Sequence, residues 1–211
     1  MAARGDRIAL LADAAIEIVA EGGMRGLTHR AVDARAGVPL GTTSAYLRTR
    51  RALVEAVVRR VADLDRADLA ANQLPDGPEP PVDPTPLSTA DLDHLATGIA
   101  ATLDAWLSTG RQRTLARYAC LLEANHHPEL RRILAHGDAS RAQARALLGR
   151  MGHPRPDRAG VWFVSFVDGL LFDRLIGAGA RTAPPPGTPE HRADLRDAIR
   201  TLLHAMAEPV N

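Results

Sequence analysis

Between residues 27 and 53 the chain reads LTHRAVDARAGVPLGTTSAYLRTRRAL. This spacing predicts two short helices joined by a tight turn, followed at once by the start of a much longer helix. Gly37 supplies the turn, because glycine alone enters left-handed φ without a steric cost. Val32, Ala36 and Val38 are the apolar residues expected to lock the two helices at the steep angle of a helix-turn-helix. Thr28 suits the N-cap of the first short helix, and Thr49 that of the long one.

Charge in this stretch is lopsided. Between Met24 and Arg51 there are six arginines (25, 30, 35, 48, 50 and 51) against a single acid, Asp33, while the whole chain has a net charge of only +1. A local basic excess on a helix-turn-helix is the electrostatic footprint of a DNA phosphate backbone. Arg50 and Arg51 sit just inside the Thr49 cap and have the wrong sign for a helix N-terminus. Opposing the macrodipole costs about 0.3–1 kcal/mol at an exposed site. A phosphate on the first-turn amides would turn that penalty into an attraction; the alternative is two solvated surface arginines.

The same residues resemble a family. The pattern G-[LV]-T-x-R-x-[IV]-x-x-x-A-G-V-x-x-G-T-x-x-x-Y-[FL]-x-[ST]-[KR]-x-x-L belongs to the tetracycline-repressor (TetR) family of bacterial transcriptional regulators. It stands here as Gly26-Leu27-Thr28, Arg30, Val32, Ala36-Gly37-Val38, Gly41-Thr42, Tyr46-Leu47, Thr49-Arg50 and Leu53. The resemblance covers roughly the first quarter of the chain and is specific, because many positions agree at fixed spacing. It implies an all-α dimer with an N-terminal three-helix DNA-binding head and a C-terminal ligand-binding and dimerisation body. Carried over by position, it places Thr28, Tyr46 and Arg50 on phosphates, with Arg30 and Arg48 on the same basic surface. Leu40, Thr42, Thr43, Ser44 and Ala45 would lie on or near the face turned to the major groove. Three positions depart from the pattern. Pro39 stands where a capping Ser is frequent, though proline suits a first-turn position; Ser44 replaces a common aromatic; and Arg50 replaces Lys, adding a planar fork suited to phosphate.

Apolar residues make up 45% of the chain but aromatics only 3%, so the core must be built mainly from Leu, Val, Ile and Ala. All 26 basic residues are arginine, which we attribute to codon usage. The single cysteine excludes an intrachain disulfide and suits a reducing cytosol. Asp6, Asp13 and Glu17 break the N-terminal apolar run, so it is not a signal-peptide core. The most apolar stretch, 161–178, contains Asp168, Asp173 and Arg174 and is no membrane span. A soluble bacterial protein of the cytoplasm, nucleoid-associated when bound to DNA, is expected.

Along the chain, residues 6–21 carry Ile8, Leu11, Ala15, Ile18 and Val19 at helix period and end at Gly22-Gly23. A long helix runs from Thr49 to about Gln73, with Leu53, Val57, Val61 and Leu64 on one face. Six prolines between Pro75 and Pro86 then forbid helix and predict an extended linker. Further helices are predicted at 88–107, 112–125, 129–150, 158–176 and 190–207, with Pro128, Pro154, Pro156 and Pro184–Pro186 at their boundaries. The expected division is a head at 1–48, a connector helix at 49–74, the linker at 75–87 and a body at 88–211. The helix at 158–176 is apolar on most of its circumference (Val161, Trp162, Phe163, Phe166, Val167, Leu170, Leu171 and Leu175) and must be covered on more than one side. It and the last helix are expected to pair with their symmetry mates as a four-helix dimer core. Gly169, mid-helix, costs about 1 kcal/mol relative to Ala; close helix approach at that interface would explain it, as would a neighbouring loop inside one subunit.

Other chemistry has little support. His126-His127 beside Glu123 invites a metal reading, but neighbouring histidines do not share a helix face. Cys120 sits on an apolar helix with only Arg117 as a nearby cation. There is no Ser-His-Asp order, phosphate-binding Gly loop or CxxC, so neither an enzyme nor a cofactor has residues to name. Trp106, Tyr118, Trp162, Phe163 and Phe166 are the candidate walls of a body pocket, and ordinary core is the competing reading for each. The resemblance implies a small lipophilic or aromatic effector. The resulting expectation is a homodimeric, ligand-released repressor on a roughly palindromic double-stranded operator. Its rivals are an activator on the same fold, or a helical small-molecule-binding or enzymatic protein that has lost DNA binding.

Overall fold

The computed structural model describes residues 2–71, 87–126 and 137–207, without the side chains of 2, 3 and 137–139. Every regular element among them is helical: α1 (Ala2–Gly26), α2 (His29–Arg35), α3 (Thr42–Tyr46), α4 (Arg50–Ala71), α5 (Thr89–Leu107), α6 (Arg111–His126), α7 (Gly137–Arg150), α8 (Pro156–Ile176) and α9 (Pro189–Ala207), with a 3-10 turn at Ala178–Arg181. The all-α expectation holds. None of these helices is long and apolar enough to cross a membrane. Most of the Pro-rich linker lies outside the described residues, as do Pro128, Leu130, Ile133 and Leu134.

Contacts divide the chain into two compact units, Met1–Asp65 with Gly110–His136, and Arg66–Thr109 with Gly137–Asn211. In the first unit Leu11, Ala15 and Val19 of α1, Val32 of α2, and Leu53, Val57 and Val61 of α4 form one buried cluster. That cluster also contains Ala116, Cys120 and Ala124, an i, i+4 stripe of α6. Helix α6, which the sequence places in a body at 88–211, therefore packs on α1 as part of the first unit. Its small side chains let it lie close to α1, and no local signal marks that pairing. Gly23 (φ 67°) interrupts α1 where the sequence predicts its end, and the helix resumes to Gly26.

In the second unit α5 packs on α9, and α7 on α8. Ser88 and Asp91 form a capping box at the start of α5, with the Asp91 amide donating to Ser88 Oγ at 3.3 Å and the Ser88 amide to Asp91 Oδ2 at 2.8 Å. Leu92, Ala96, Leu103 and Leu107 line the buried side of α5; Leu195, Ile199, Leu203 and Met206 line that of α9. The α7–α8 approach needs Gly160, where a Cβ would lie 2.7 Å from the Arg145 backbone nitrogen.

Only part of the apolar circumference of α8 is covered by the described residues. Phe163, Leu171 and Leu175 are buried, whereas Val161, Trp162, Phe166, Phe172 and Ile176 are exposed. A Cβ on Gly169 would meet nothing within 4 Å, so none of the described residues requires that glycine.

A buried carboxylate ties the start of α9 to α5. Asp104, 4% exposed, accepts from the Gly187 amide (2.7 Å), His191 Nδ1 (2.6 Å) and Arg192 Nη1 (3.1 Å). Burial alone would push its pKa up, but these hydrogen bonds outweigh burial and hold the carboxyl below the ordinary range. A depressed carboxyl adds stability that is full above its unfolded pKa and is lost as pH falls through the lower folded value. We therefore expect the urea midpoint to drop on acidification below the ordinary carboxylate range, and Asp104→Asn to make this acid limb shallower while lowering stability at neutral pH. An acid limb identical in the variant would refute the assignment.

Candidate nucleic-acid interface

The head geometry begins with caps. Thr28 Oγ1 accepts from the Ala31 amide at 3.1 Å and starts α2; Thr49 Oγ1 accepts from the Ala52 amide at 3.0 Å and starts α4. Gly37 (φ 64°) makes the turn after α2, and Val32 beneath it is fully buried. Val38 and Ala36 are partly buried against the same core.

Helix α3 is only five residues long and starts at Thr42, later than the Leu40–Tyr46 reading face anticipated. Pro39 therefore lies outside its first turn, and its carbonyl instead accepts from the Thr42 amide (3.1 Å) and Thr42 Oγ1 (2.6 Å). Gly41 (φ 92°) occupies the cap position without a side chain to offer. Asp33, reaching across from α2, supplies the missing acceptor. Its Oδ2 takes the Gly41 amide at 2.7 Å; its Oδ1 takes the Thr43 amide at 2.7 Å and Thr43 Oγ1 at 2.6 Å. Burial, the largest influence, pushes the Asp33 pKa up; the hydrogen bonds from Thr43 and Gly41 outweigh it and leave the carboxyl below its ordinary value. At the other end of α3, His29 Nε2–H donates to the Leu47 carbonyl at 2.6 Å, which defines the tautomer, since a carbonyl only accepts. Neither Asp33 nor His29 was singled out as a site residue; the one signal was that Asp33 is the lone acid in a run of arginines.

The outward surface follows. Leu40 is 77% exposed, and Ser44 and Ala45 are exposed as well. Thr43, expected on the groove-facing side, is fully buried with its hydroxyl donated to Asp33. It is a structural residue of the turn and cannot reach a base edge.

The six arginines also separate. Arg35 is bridged to Glu17 (3.1 Å) and Glu21 (2.5 Å), and Arg51 to Glu55 (3.7 Å). Arg50, expected on a phosphate, donates Nη1 to the Leu27 carbonyl (2.9 Å) and Nη2 to the Met24 carbonyl (2.8 Å) and Glu123 (3.2 Å). It thus fastens the start of α4 to the segment that carries Thr28. Arg25, Arg30 and Arg48 are exposed and make no hydrogen bond or ion pair among the described residues. Arg4, which the sequence did not mark, lies over the Tyr46 ring at 5.6 Å from its centroid.

Residues 90–205 match the sequence model of the family described as tetracyclin repressor-like, C-terminal domain. The chain belongs to the tetracycline-repressor family. A member of that family from Streptomyces coelicolor A3 is 26% identical, with 94% of this chain and 97% of that one covered at a TM-score of 0.66. The multidrug binding protein EbrR, in complex with proflavin, is 27% identical over 93% of this chain and 99% of that one at a TM-score of 0.56. A transcriptional regulator from Rhodococcus sp. Rha1 shares the fold at 24% identity and a TM-score of 0.68, over 93% of this chain and 95% of that one. A comparison with curated proteins found no match. By family, then, the protein is a DNA-binding transcriptional regulator.

The regulator's five aromatic residues read as pocket walls are divided between the two units. Tyr118 belongs to the first unit, the other four to the second. Trp106 donates Nε1–H to Asp68 Oδ2 at 2.9 Å, and Phe163 is buried. Trp162, with Arg158 stacked 4.7 Å from its ring centroid, and Phe166, 59% exposed, face outward and so do not wall an internal pocket of a single chain. Among the described residues no group of three His, Cys, Asp or Glu is placed to hold a metal; His127 lies outside them. Burial pushes the Cys120 thiol up to about 12, which leaves it unreactive at neutral pH.

Asp33→Ala exposes the first-turn amides of α3 to an apolar surrounding and is expected to lower stability by about 2–3 kcal/mol, the cost of stranding buried donors of a charged acceptor. Thr43→Val removes only the hydroxyl bond and should cost about 1 kcal/mol. Urea denaturation checks both; an unchanged midpoint in Asp33→Ala would remove the carboxylate from its capping role.

Proposed function

We propose that this protein is a ligand-released repressor that binds a roughly palindromic operator as a homodimer. The observation that carries the reading is the division among the head arginines: Arg35 and Arg50 are held by acceptors within the head, whereas Arg30 and Arg48 are exposed and make no hydrogen bond or ion pair among the described residues. Arg30 and Arg48 take phosphates as planar forks. The Thr28 hydroxyl accepts from the Ala31 amide and still has its own proton to donate to a phosphate oxygen. Tyr46 keeps its hydroxyl available beside Arg4. Arg50 acts as a positioning residue for the segment that carries Thr28.

Dimerisation is supported by the exposed side of α8, where Val161, Trp162, Phe166 and Ile176 leave an apolar face among the described residues, with Gly169 at its middle. Two such faces packed about a twofold axis would bury it, and a glycine there permits close helix approach. Each head would then enter a successive major groove, about 34–36 Å apart in the simplest arrangement. An effector that binds the body better when the heads are wrongly spaced shifts the dimer off its site. The complexes of EbrR with proflavin and ethidium favour a planar aromatic or lipophilic effector, with Trp106 and Phe163 as candidate contacts. The protein would act in the bacterial cytoplasm, nucleoid-associated while bound.

The test is a titration of the protein's own upstream region at several salt concentrations. Arg30→Ala and Arg48→Ala should each reduce the salt slope by about one unit, whereas Arg50→Ala should lower thermal stability and leave the slope unchanged. Wild-type protein that ignores this DNA at low ionic strength would overturn the reading. For the dimer, Phe166→Asp is expected to sediment as a folded monomer with weakened operator affinity. A variant that remains dimeric would exclude the α8 face.

A further inference from the structure

We propose that the thymine C5-methyl group is the main base-specific feature this regulator reads, and that Leu40 and Ala45 are the side chains that read it. The inference rests on the DNA-binding reading above and adds to it the chemical identity of the bases contacted.

The argument is by the chemistry left on the exposed surface. Sequence-specific contacts in the major groove come from bidentate pairs, Arg or Lys with guanine and Asn or Gln with adenine, from acids with cytosine, or from apolar contact with the thymine methyl. Residues 39–46 read PLGTTSAY and contain no Arg, Lys, Asn, Gln, Asp or Glu. Of their hydroxyls, Thr43 is buried on Asp33, Thr42 donates its proton to the Pro39 carbonyl, and Tyr46, half-buried beside Arg4, is assigned with the arginines to phosphate. Ser44 is exposed, but a lone hydroxyl both donates and accepts, so it discriminates weakly between bases. Arg30 and Arg48, the exposed bidentate donors flanking this stretch in sequence, lie outside α3 and are assigned above to phosphate.

Apart from Ser44, the exposed side chains here are apolar. Leu40, 77% exposed on the rigid turn made by Gly41 and the Asp33 cap, is the most exposed large apolar side chain of the described residues. Ala45 lies on the exposed side of the helix that follows. An isobutyl group held there by the phosphate contacts meets one apolar feature on a base edge in the major groove, the thymine methyl. Burying one methyl against an aliphatic side chain changes affinity about fourfold.

Uracil in place of thymine removes that methyl and keeps the Watson–Crick pairing, so the test is made at the level of one carbon atom. Full-length protein is used to select duplexes from a random-sequence pool. The enriched duplex is then resynthesised with dU for dT at one position at a time, and its dissociation constant is measured at fixed salt. We expect at least one position in the half-site at which dU weakens wild-type binding about fourfold, with the salt slope unchanged. In Leu40→Ala, which removes no core contact, the dT and dU duplexes should bind alike at that position; if they do not, Ala45→Gly should equalise them. An enriched duplex indifferent to dU at every position overturns the inference while leaving DNA binding intact. So does a dU effect that survives in both variants. A pool from which nothing is enriched overturns the DNA-binding reading itself.

Discussion

The carboxylate of Asp33 is the constraint on which the head depends. A five-residue helix makes too few internal hydrogen bonds to stand alone, since nucleation fixes several residues for each bond gained. Helix α3 has Gly41 at its cap position and Pro39 before it, neither of which offers a side-chain acceptor to the first-turn amides. Asp33 provides that acceptor from a neighbouring helix, so the cap that starts α3 also sets its angle to α2. The His29 bond to the Leu47 carbonyl fixes the far end in the same way. Both interactions join residues distant along the chain, and together they define the orientation of a helix too short to define its own.

That constraint determines which side chains are left for other work. Thr43 is drawn inward as part of the cap. Arg50 and Arg35 are drawn inward too, one onto backbone carbonyls and one onto two glutamates. A guanidinium with several acceptors already in place has few donors left for a phosphate. The local charge excess is therefore a mixture of arginines that hold the head together and exposed arginines without partners among the described residues, and on the proposed reading the second kind supplies the salt-dependent attraction to DNA.

The parts of this fold that local chemistry controls were legible in the sequence: the caps at Thr28 and Thr49, the left-handed turn at Gly37, and the proline boundaries before α8 and α9. Features that depend on a partner across the chain were not. Charge counting could not tell Arg48 from Arg50, because the difference lies in carbonyls that fold beneath one and not the other. Periodicity could not choose between Thr43 and Ser44 on a helix of barely more than one turn. The placement of α6 on α1 joins segments about ninety residues apart through alanines and one cysteine, too small to leave a strong apolar signature. Helix α8 was recognised as apolar nearly all round, yet sequence alone does not say whether a face is covered by its own chain or by another. The outward positions of Trp162 and Phe166, read from sequence as pocket walls, follow from that ambiguity.

A head whose reading surface is mostly apolar has a consequence for how specificity is assembled. On the proposed reading, exposed arginines hold any duplex, and methyl contacts separate right from wrong bases by only about 1 kcal/mol each. One such head would bind DNA while discriminating poorly. Two heads held at a fixed spacing multiply their discriminations, because a wrong half-site and a wrong separation are both penalised in the same complex. The twofold pairing proposed for the exposed face of α8 is on this argument part of base recognition as much as of assembly. It also explains why an effector need not touch the DNA-binding surface: changing the distance between two weakly discriminating heads is enough to abolish the product on which operator selectivity depends.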